Sequence, residues 1–254
     1  MLNIKKNSDF SVINHDYITP KSFVKETQGG VFYFSRKNKV QGCYVKDKKI
    51  ILDIKSKSET LIGETSKLLL RGEHNWENIT AAVLAAHLAG AKIEAIKKVV
   101  FSFKGLEHRL ELVKEVNGVT FYDDSFSTNP QPTLAAVASF TEPLTLILGG
   151  SDKGLDYQEM AEKIAKTDNV KNIVLIGDIG PKIGDELKRS KFKGVLKKLS
   201  RTSMQEIVET TYELAGPFGV VLLSPASASF GMFRDYKDRG DQFKKTVRNL
   251  TVGV

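Results

Sequence analysis

Three polar clusters in this chain carry side chains with chemistry to offer, and each follows an apolar run. DDSFSTNP (123–130) sets two carboxylates, three hydroxyls and an amide between VTFY and PTLAAVASF. GGSDKG (149–154) places Lys153, a mobile cation, beside the backbone N–H groups of a glycine-rich turn, a sensible arrangement for an anion. SPASASF (224–230) offers hydroxyls and backbone donors, while the small residues Ala226, Ser227, Ala228 and Ser229 leave room for a ligand. Each cluster also has a plainer reading. Asn129 is a good N-cap, Pro130 suits a first helical turn, and Thr128 could share the cap. Capping leaves Asp123, Asp124 and Ser125 unexplained on the strand side. GGSDKG could be a turn with a solvated lysine, and Ser229 could simply cap a helix. Phe230, Phe233 and Tyr236 join a core or wall a pocket, with helical spacing favouring the core for Phe233.

Two further stretches hold candidate ligand contacts. LEHRLELV (106–113) alternates like a strand, which would put His108 and Leu110 on one face and Arg109 on the other. An arginine there could clamp a phosphate bidentately or lie on the surface. GEHNWENITAA (72–82) brings Asn75 and Asn78 to the start of an Ala-rich helix, Asn75 as its cap or both as contacts to a base or phosphate edge. The chain lacks G-x-x-x-x-G-K-[ST] and G-x-G-x-x-G, and no His and acid follow the serines in hydrolase order. Four scattered histidines and one cysteine show no metal-ligand spacing.

The elements that must position these groups fall into two parts. Residues 10–70 read as β-rich, with FSVIN, GGVFYFS, GCYVK and KIILDI as short strands. Helices follow over 78–91, ending at Gly90, and over 91–103. Beyond Gly105 the pattern changes. RLELVKEV and VTFYDD form a hairpin about Asn117-Gly118. Helices 131–139, 156–166, 181–189, 203–215 and 231–248 then alternate with strands 144–150, 172–177 and 219–225. Nearly continuous apolar strands between helices predict a doubly wound α/β sheet covered on both faces. Such sheets bind ligands at the carboxyl ends of their strands, where all three clusters stand. The expected domains are 1–104 and 105–254.

The 254 residues carry 38 basic and 30 acidic side chains, a formal charge of +8 that suits anionic partners without choosing among them. The basic stretch 186–202 has seven Lys/Arg and one Glu, but no aromatic stacking pattern, so a solvated face is expected and nucleic acid is not. A lone thiol, Cys43, builds no disulfide framework and fits a reducing compartment. No apolar run approaches a membrane span, and MLNIKKNSDF lacks the apolar segment of a secretory signal. A cytoplasmic protein without a membrane partner is expected.

Taken in order, GEHNWENITAA, LEHRLELV, DDSFSTNP, LILGGSDKGLDY and LLSPASASFGMFRDYKDRGDQF resemble the Mur ligases over roughly 70–250. VINHDY (12–17) looks like the strand opening the last part of their central domain. Ser-Phe-Ser-Thr-Asn, in place of a Tyr-Ala-His or Tyr-Asn-Ala type of sequence, favours the branch that adds D-glutamate. The resemblance implies three domains in the complete enzyme: one binding UDP, a central ATPase domain, and a C-terminal Rossmann-like domain receiving the amino acid. It implies ATP and Mg2+ as cofactors, and D-glutamate and UDP-N-acetylmuramoyl-L-alanine as substrates joined through an acyl phosphate. By position, Asn75 and Asn78 would meet ATP, Arg109 its phosphates and Asp124 the ribose. Lys153, Thr128, Ser229 and the backbone near Phe230 would hold D-glutamate, with Tyr236 walling the pocket. Arg109 and Lys153 would thus be the catalytic cations. Phe126 stands where the family commonly has lysine, removing a cation. The UDP-binding domain, P-loop and metal-binding positions find no counterpart. This chain alone is therefore expected not to turn over ATP, and a companion chain carrying those domains is the partner expected for a split enzyme. The alternative is a non-catalytic module binding a nucleotide or acidic ligand.

Overall fold

The computed structural model describes residues 9–27, 29–55 and 58–250. Most of the N-terminal stretch read against a secretory signal lies outside them. The chain divides into two compact units, Met1–Lys104 and Gly105–Val254.

The first unit is built on a five-stranded sheet. Its strands are β1 (Phe10–Asn14), β2 (Gly30–Ser35), β3 (Gly42–Lys46), β4 (Lys49–Asp53) and β5 (Thr60–Glu64), in spatial order of their numbering. β1, β2 and β3 run parallel; β4 and β5 continue antiparallel. A one-turn helix, α1 (Ile18–Ser22), follows β1, and α2 (His74–Leu88) and α3 (Ile93–Ser102) follow β5. Cys43, Ile50, Leu52, Val83 and Leu84 form part of its core. Burial pushes the Cys43 thiol well above its ordinary range, so it packs as a small hydrophobe. β5 had no expectation in the sequence. α2 begins four residues earlier than expected, and Asn75 lies inside its first turn rather than capping it. Its end is a Schellman turn: Gly90 at φ +92° donates to His87 O, and Ala91 N–H to Ala86 O.

The second unit carries a six-stranded sheet in the order β10-β9-β8-β11-β7-β6. The strands are β6 (Glu111–Val116), β7 (Val119–Asp123), β8 (Leu144–Gly149), β9 (Val170–Ile176), β10 (Val195–Ser200) and β11 (Val220–Leu223). Among the named strands of this sheet, in the described residues, only the β6–β7 pair is antiparallel, and Asn117 (φ 47°) and Gly118 (φ 81°) supply the two left-handed residues of its hairpin turn. The helices are α4 (Pro130–Val137), α5 (Gln158–Ala165), α6 (Gly180–Arg189), α7 (Met204–Ala215) and α8 (Tyr236–Arg248).

The apolar strands bury both faces because side chains alternate sides along a strand. Leu146, Leu148, Ile173, Leu175 and Leu222 pack with α4, α5 and α6 on one face. Ile147, Val174, Ile176, Val221 and Leu223 pack with α7 and α8 on the other. Each such side chain contributes about 1.5–3 kcal/mol when fully buried. This is the doubly wound arrangement expected. Topology adds the order of strands: the chain steps outward through β8, β9 and β10, then returns to insert β11 between β8 and β7. The ends of β7, β11 and β8 are thereby neighbours.

Three local expectations are corrected. Residues 106–110 form a turn, not a strand, with His108 (φ 61°) and Leu110 (φ 46°) left-handed; β6 starts at Glu111. α8 starts at Tyr236, not 231, because Asp235 caps it by accepting from Asp238 N–H. Ser229 is therefore no helix cap. The basic stretch 186–202 contains an unanticipated edge strand, β10, whose exposed Lys197 and Lys198 suit an unpaired edge.

Candidate functional site

DDSFSTNP divides into a buried half and an exposed half. Asn129 caps α4, its side chain accepting from Gln131 N–H, with Pro130 in the first turn. Upstream, Asp123, Asp124, Ser125 and Ser127 are buried. Asp124 is 2% exposed and takes three donors: Leu110 N–H at 3.2 Å, Ser127 Oγ at 2.5 Å and Ser224 Oγ at 2.7 Å. Desolvation outweighs these donors and pushes its pKa up to about 6. The carboxylate assigned to a ribose by resemblance thus ties the turn before β6 and the end of β11 to its own loop.

Asp123 pairs with His108, Oδ2 to Nδ1, at 2.7 Å. That hydrogen bond, against an opposing loss of solvation, holds the imidazole pKa above its ordinary value. Gly240, inside α8, makes room for the pair: a Cβ there would lie 2.2 Å from His108 Nδ1 and 2.6 Å from Asp123 Oδ2. Arg239, beside it, is 0% exposed. It donates to Ser125 Oγ and Ser125 O, both at 2.9 Å, and to Ser227 O at 3.2 Å. Ser125 Oγ donates onward to Tyr236 O at 2.7 Å. Burial lowers the guanidinium pKa to about 10, still charged at neutral pH. One arginine on α8 therefore laces DDSFSTNP to SPASASF. Sequence reasoning passed over Arg239, Gly240 and the His108–Asp123 pair. A glycine within the helical run YKDRGDQF was the available signal, since helix interiors disfavour it.

GGSDKG and SPASASF are joined directly. Ser151 and Ala228 form an antiparallel bridge, with Ser151 N–H donating to Ala228 O at 2.9 Å. Gly149 N–H donates to Pro225 O at 2.9 Å. The two glycines are required by close backbone packing: a Cβ on Gly149 would meet Ile176 O of β9 at 2.0 Å, and one on Gly150 would meet Ala228 O of SPASASF at 2.1 Å. Lys153 stands exposed two residues beyond the bridge, and Ser229 is buried one residue beyond it. Phe230 is exposed, Phe233 joins the core, and Thr128 and Tyr236 are half-buried.

Arg109 is half-buried, its guanidinium carbon 5.8 Å from the Phe126 ring centroid. Phe126 meets Tyr236 edge-on at 5.1 Å. In the first unit, Asn75 Nδ2 donates to Arg71 O at 2.6 Å and Asn78 Nδ2 to Asn75 Oδ1 at 3.1 Å, so the two amides sit side by side on α2.

Among the described residues one cluster has ligand atoms close enough for a metal: His108, Glu111 and Asp123, within 4.8 Å of one another. It does not fit a hard cation such as Mg2+. His108 and Asp123 already hydrogen-bond, and the Lys244 ammonium lies 3.2 Å from Glu111 Oε2 and 3.6 Å from Asp241. Positive charge is supplied from within the protein. Among the described residues no helix is long and apolar enough to cross a membrane.

Residues 108–227 match the family model described as Mur ligase, glutamate ligase domain. Among curated relatives, the UDP-N-acetylmuramoylalanine–D-glutamate ligase of Acetivibrio thermocellus is 40% identical over 247 residues, covering 95% of this chain and 52% of that protein. The same-named enzyme of Clostridioides difficile is 39% identical over 243 residues, covering 95% and 52%. The chain spans about half the length of the curated relatives it matches. Among solved structures, the UDP-N-acetylmuramoylalanyl-D-glutamyl-2,6-diaminopimelate–D-alanyl-D-alanyl ligase from Acinetobacter baumannii has a TM-score of 0.66 at 13% identity, covering 95% of this chain and 51% of that one. The MurF ligase from Thermotoga maritima, solved with ADP, has a TM-score of 0.58 at 15% identity, covering 96% and 55%. At these identities the structures speak to the fold alone.

Proposed function

Because this chain carries a Mur ligase glutamate ligase domain, we propose that it is the amino-acid-receiving portion of a cytoplasmic, ATP-dependent ligase. That ligase would add D-glutamate to UDP-N-acetylmuramoyl-L-alanine in peptidoglycan precursor synthesis. The observation that carries the reading is the Ser151–Ala228 bridge, which joins the loop bearing Lys153 to the loop bearing Ser229 at neighbouring strand ends.

The chemistry required is mostly positional. D-Glutamate brings two carboxylates and an amine. Lys153, Thr128, Ser229 and the backbone near Phe230 would take the carboxylates, and Tyr236 would wall the pocket. The free amine attacks the acyl-phosphate carbonyl carbon; the carbon–oxygen bond to phosphate breaks and inorganic phosphate leaves. Charge on that leaving group calls for a cation, the part given to Arg109, while Asn75 and Asn78 would meet the nucleotide. Such a reaction gains chiefly from orientation and electrostatic stabilisation. Asp124, with its oxygens already engaged, would act by holding the loops that present these groups. ATP and Mg2+ belong to the complete enzyme under this reading. No step is assigned to a metal on the His108–Glu111–Asp123 cluster.

A titration of the isotopically labelled chain with D-glutamate tests the reading. Amide and side-chain resonances of Thr128, Lys153 and Ser229 are expected to move with D-glutamate and much less with L-glutamate. No movement at millimolar ligand would overturn it. The exposed Phe126 favours one second reading, a split or non-catalytic binding module working with a companion chain. Co-purification of a chain bearing a P-loop would separate a split ligase from a stand-alone module.

A further inference from the structure

Phe126 is the exposed member of an otherwise buried run. Ser125 and Ser127 on either side are buried, whereas Phe126 is 46% exposed. Its backbone is held at both ends: its N–H donates to His108 O at 3.0 Å, and its carbonyl accepts from Thr128 N–H at 2.9 Å. The first bond engages the peptide group that joins His108 to Arg109. Backbone and side chain therefore both couple Phe126 to Arg109, whose guanidinium carbon is 5.8 Å from the ring centroid. Tyr236 supports the ring edge-on at 76°, and His108 supports Tyr236 in turn at 87°. The ring is thus held edge-on by Tyr236, itself backed by the buried His108, and has the Arg109 guanidinium over its face.

Among the described residues the Arg109 guanidinium has no carboxylate within ion-pair distance. A carboxylate partner would occupy its N–H donors and neutralise it. An aromatic ring attracts the cation through its quadrupole and accepts no conventional hydrogen bond. Arginine so held keeps both its charge and its planar fork for an oxyanion.

We propose that Phe126 is a positioning residue whose ring seats the Arg109 guanidinium, leaving its donors free for a phosphoryl oxyanion. The inference rests on the reading of Arg109 as the phosphate-facing cation. It gives a function to the ring that stands in a lysine's place: the site keeps one cation and orients it, rather than carrying two.

The test uses the 254-residue chain with inorganic tripolyphosphate as probe, comparing wild type with Phe126→Leu, Phe126→Tyr and Arg109→Gln. In the free protein, the side-chain NMR resonances of Arg109 are expected to show an upfield ring-current shift. That shift should survive in Phe126→Tyr and vanish in Phe126→Leu. Tripolyphosphate affinity is expected to fall about threefold in Phe126→Leu, the size of an exposed cation–π contact, with Phe126→Tyr restoring it. Arg109→Gln should weaken binding further. Unchanged Arg109 resonances in Phe126→Leu would overturn the seat. Undiminished affinity in Phe126→Leu beside weakened affinity in Arg109→Gln would also overturn it, leaving the phosphate role of Arg109 intact. Affinity unchanged by Arg109→Gln would instead remove the phosphate role, and with it the purpose of the seat.

Discussion

DDSFSTNP and GGSDKG occupy equivalent places, each following a buried strand at the carboxyl edge of the same sheet, yet they are built in opposite ways. The first is sealed. Two aspartates and two serines are buried, and Arg239 reaches across from α8 to hold the backbone. The second is sealed only at its base, where Gly149 and Gly150 pack against neighbouring backbone; from Asp152 to Gly154 it is exposed. Polar residues at a strand end therefore do not all face a ligand. In one loop they form the frame, and in the other they are presented by it. Removing a frame residue should cost stability, and removing a presented one should cost binding.

The largest effect is expected from Arg239→Leu, which strips donors from Ser125 O, Ser227 O and Ser125 Oγ at once. A loss of about 3–5 kcal/mol is expected in urea unfolding of the second unit. A loss below about 1 kcal/mol would mean the loops hold themselves together.

The second test is pH. Asp124 has its pKa raised from 3.8 to about 6, so the folded state binds its proton more tightly than the unfolded state. Its ionised form costs stability above pH 6, and that cost is relieved as pH falls from about 6 to about 4. At 1.36 kcal/mol per unit this amounts to as much as ~3 kcal/mol. His108, with its pKa raised by Asp123, acts in the same direction: its contribution is complete below pH 6.5 and fades as pH rises through the raised value. Midpoints of unfolding should therefore be higher near pH 5.5 than near pH 8, and Asp124→Asn should flatten the trend. A wild-type midpoint that rises with pH across this range would refute the assignment.

Gly240→Ala comes next. In an exposed helix this change gains about 0.5–1 kcal/mol, but here the new methyl collides with His108 and Asp123. A net loss of about 1–3 kcal/mol is expected by thermal melting, and a gain would show that the pair can move aside.

Lys153→Ala should have the smallest effect on stability, within about 0.5 kcal/mol. Its consequence belongs to binding: the D-glutamate perturbations should weaken, and in a complete ligase KM should rise or kcat fall. A substantial drop in melting temperature would place Lys153 with the frame and erase the contrast between the loops.

Apart from β10, the second unit's strands and helices were legible because their apolar runs are long and punctuated by clear signals, such as Asn117-Gly118 and Asn129-Pro130; β10 carries lysines on an exposed edge and has no such run. LEHRLELV was misread because alternation over eight residues fits a strand equally well. The left-handed backbone at His108 and Leu110 is imposed by Glu111, which accepts from His108 N–H, and by Asp124, which accepts from Leu110 N–H. The late start of α8 was hidden because 231–235 has helical spacing without a helix, and Asp235 decides the boundary by its capping bond.

Sequence by itself determined the alternation of elements, the two-sided burial of the sheet and the polar character of its strand ends, since these follow from local propensity and hydrophobic period. Only the tertiary structure decided which polar residues face inward. Inserting β11 between β7 and β8 brings together loops about 25 to 100 residues apart, and at that contact desolvation favours whichever groups find partners. Asp123, Asp124 and Ser125 found them. Phe126 and Lys153 remained at the surface, where a ligand can reach them.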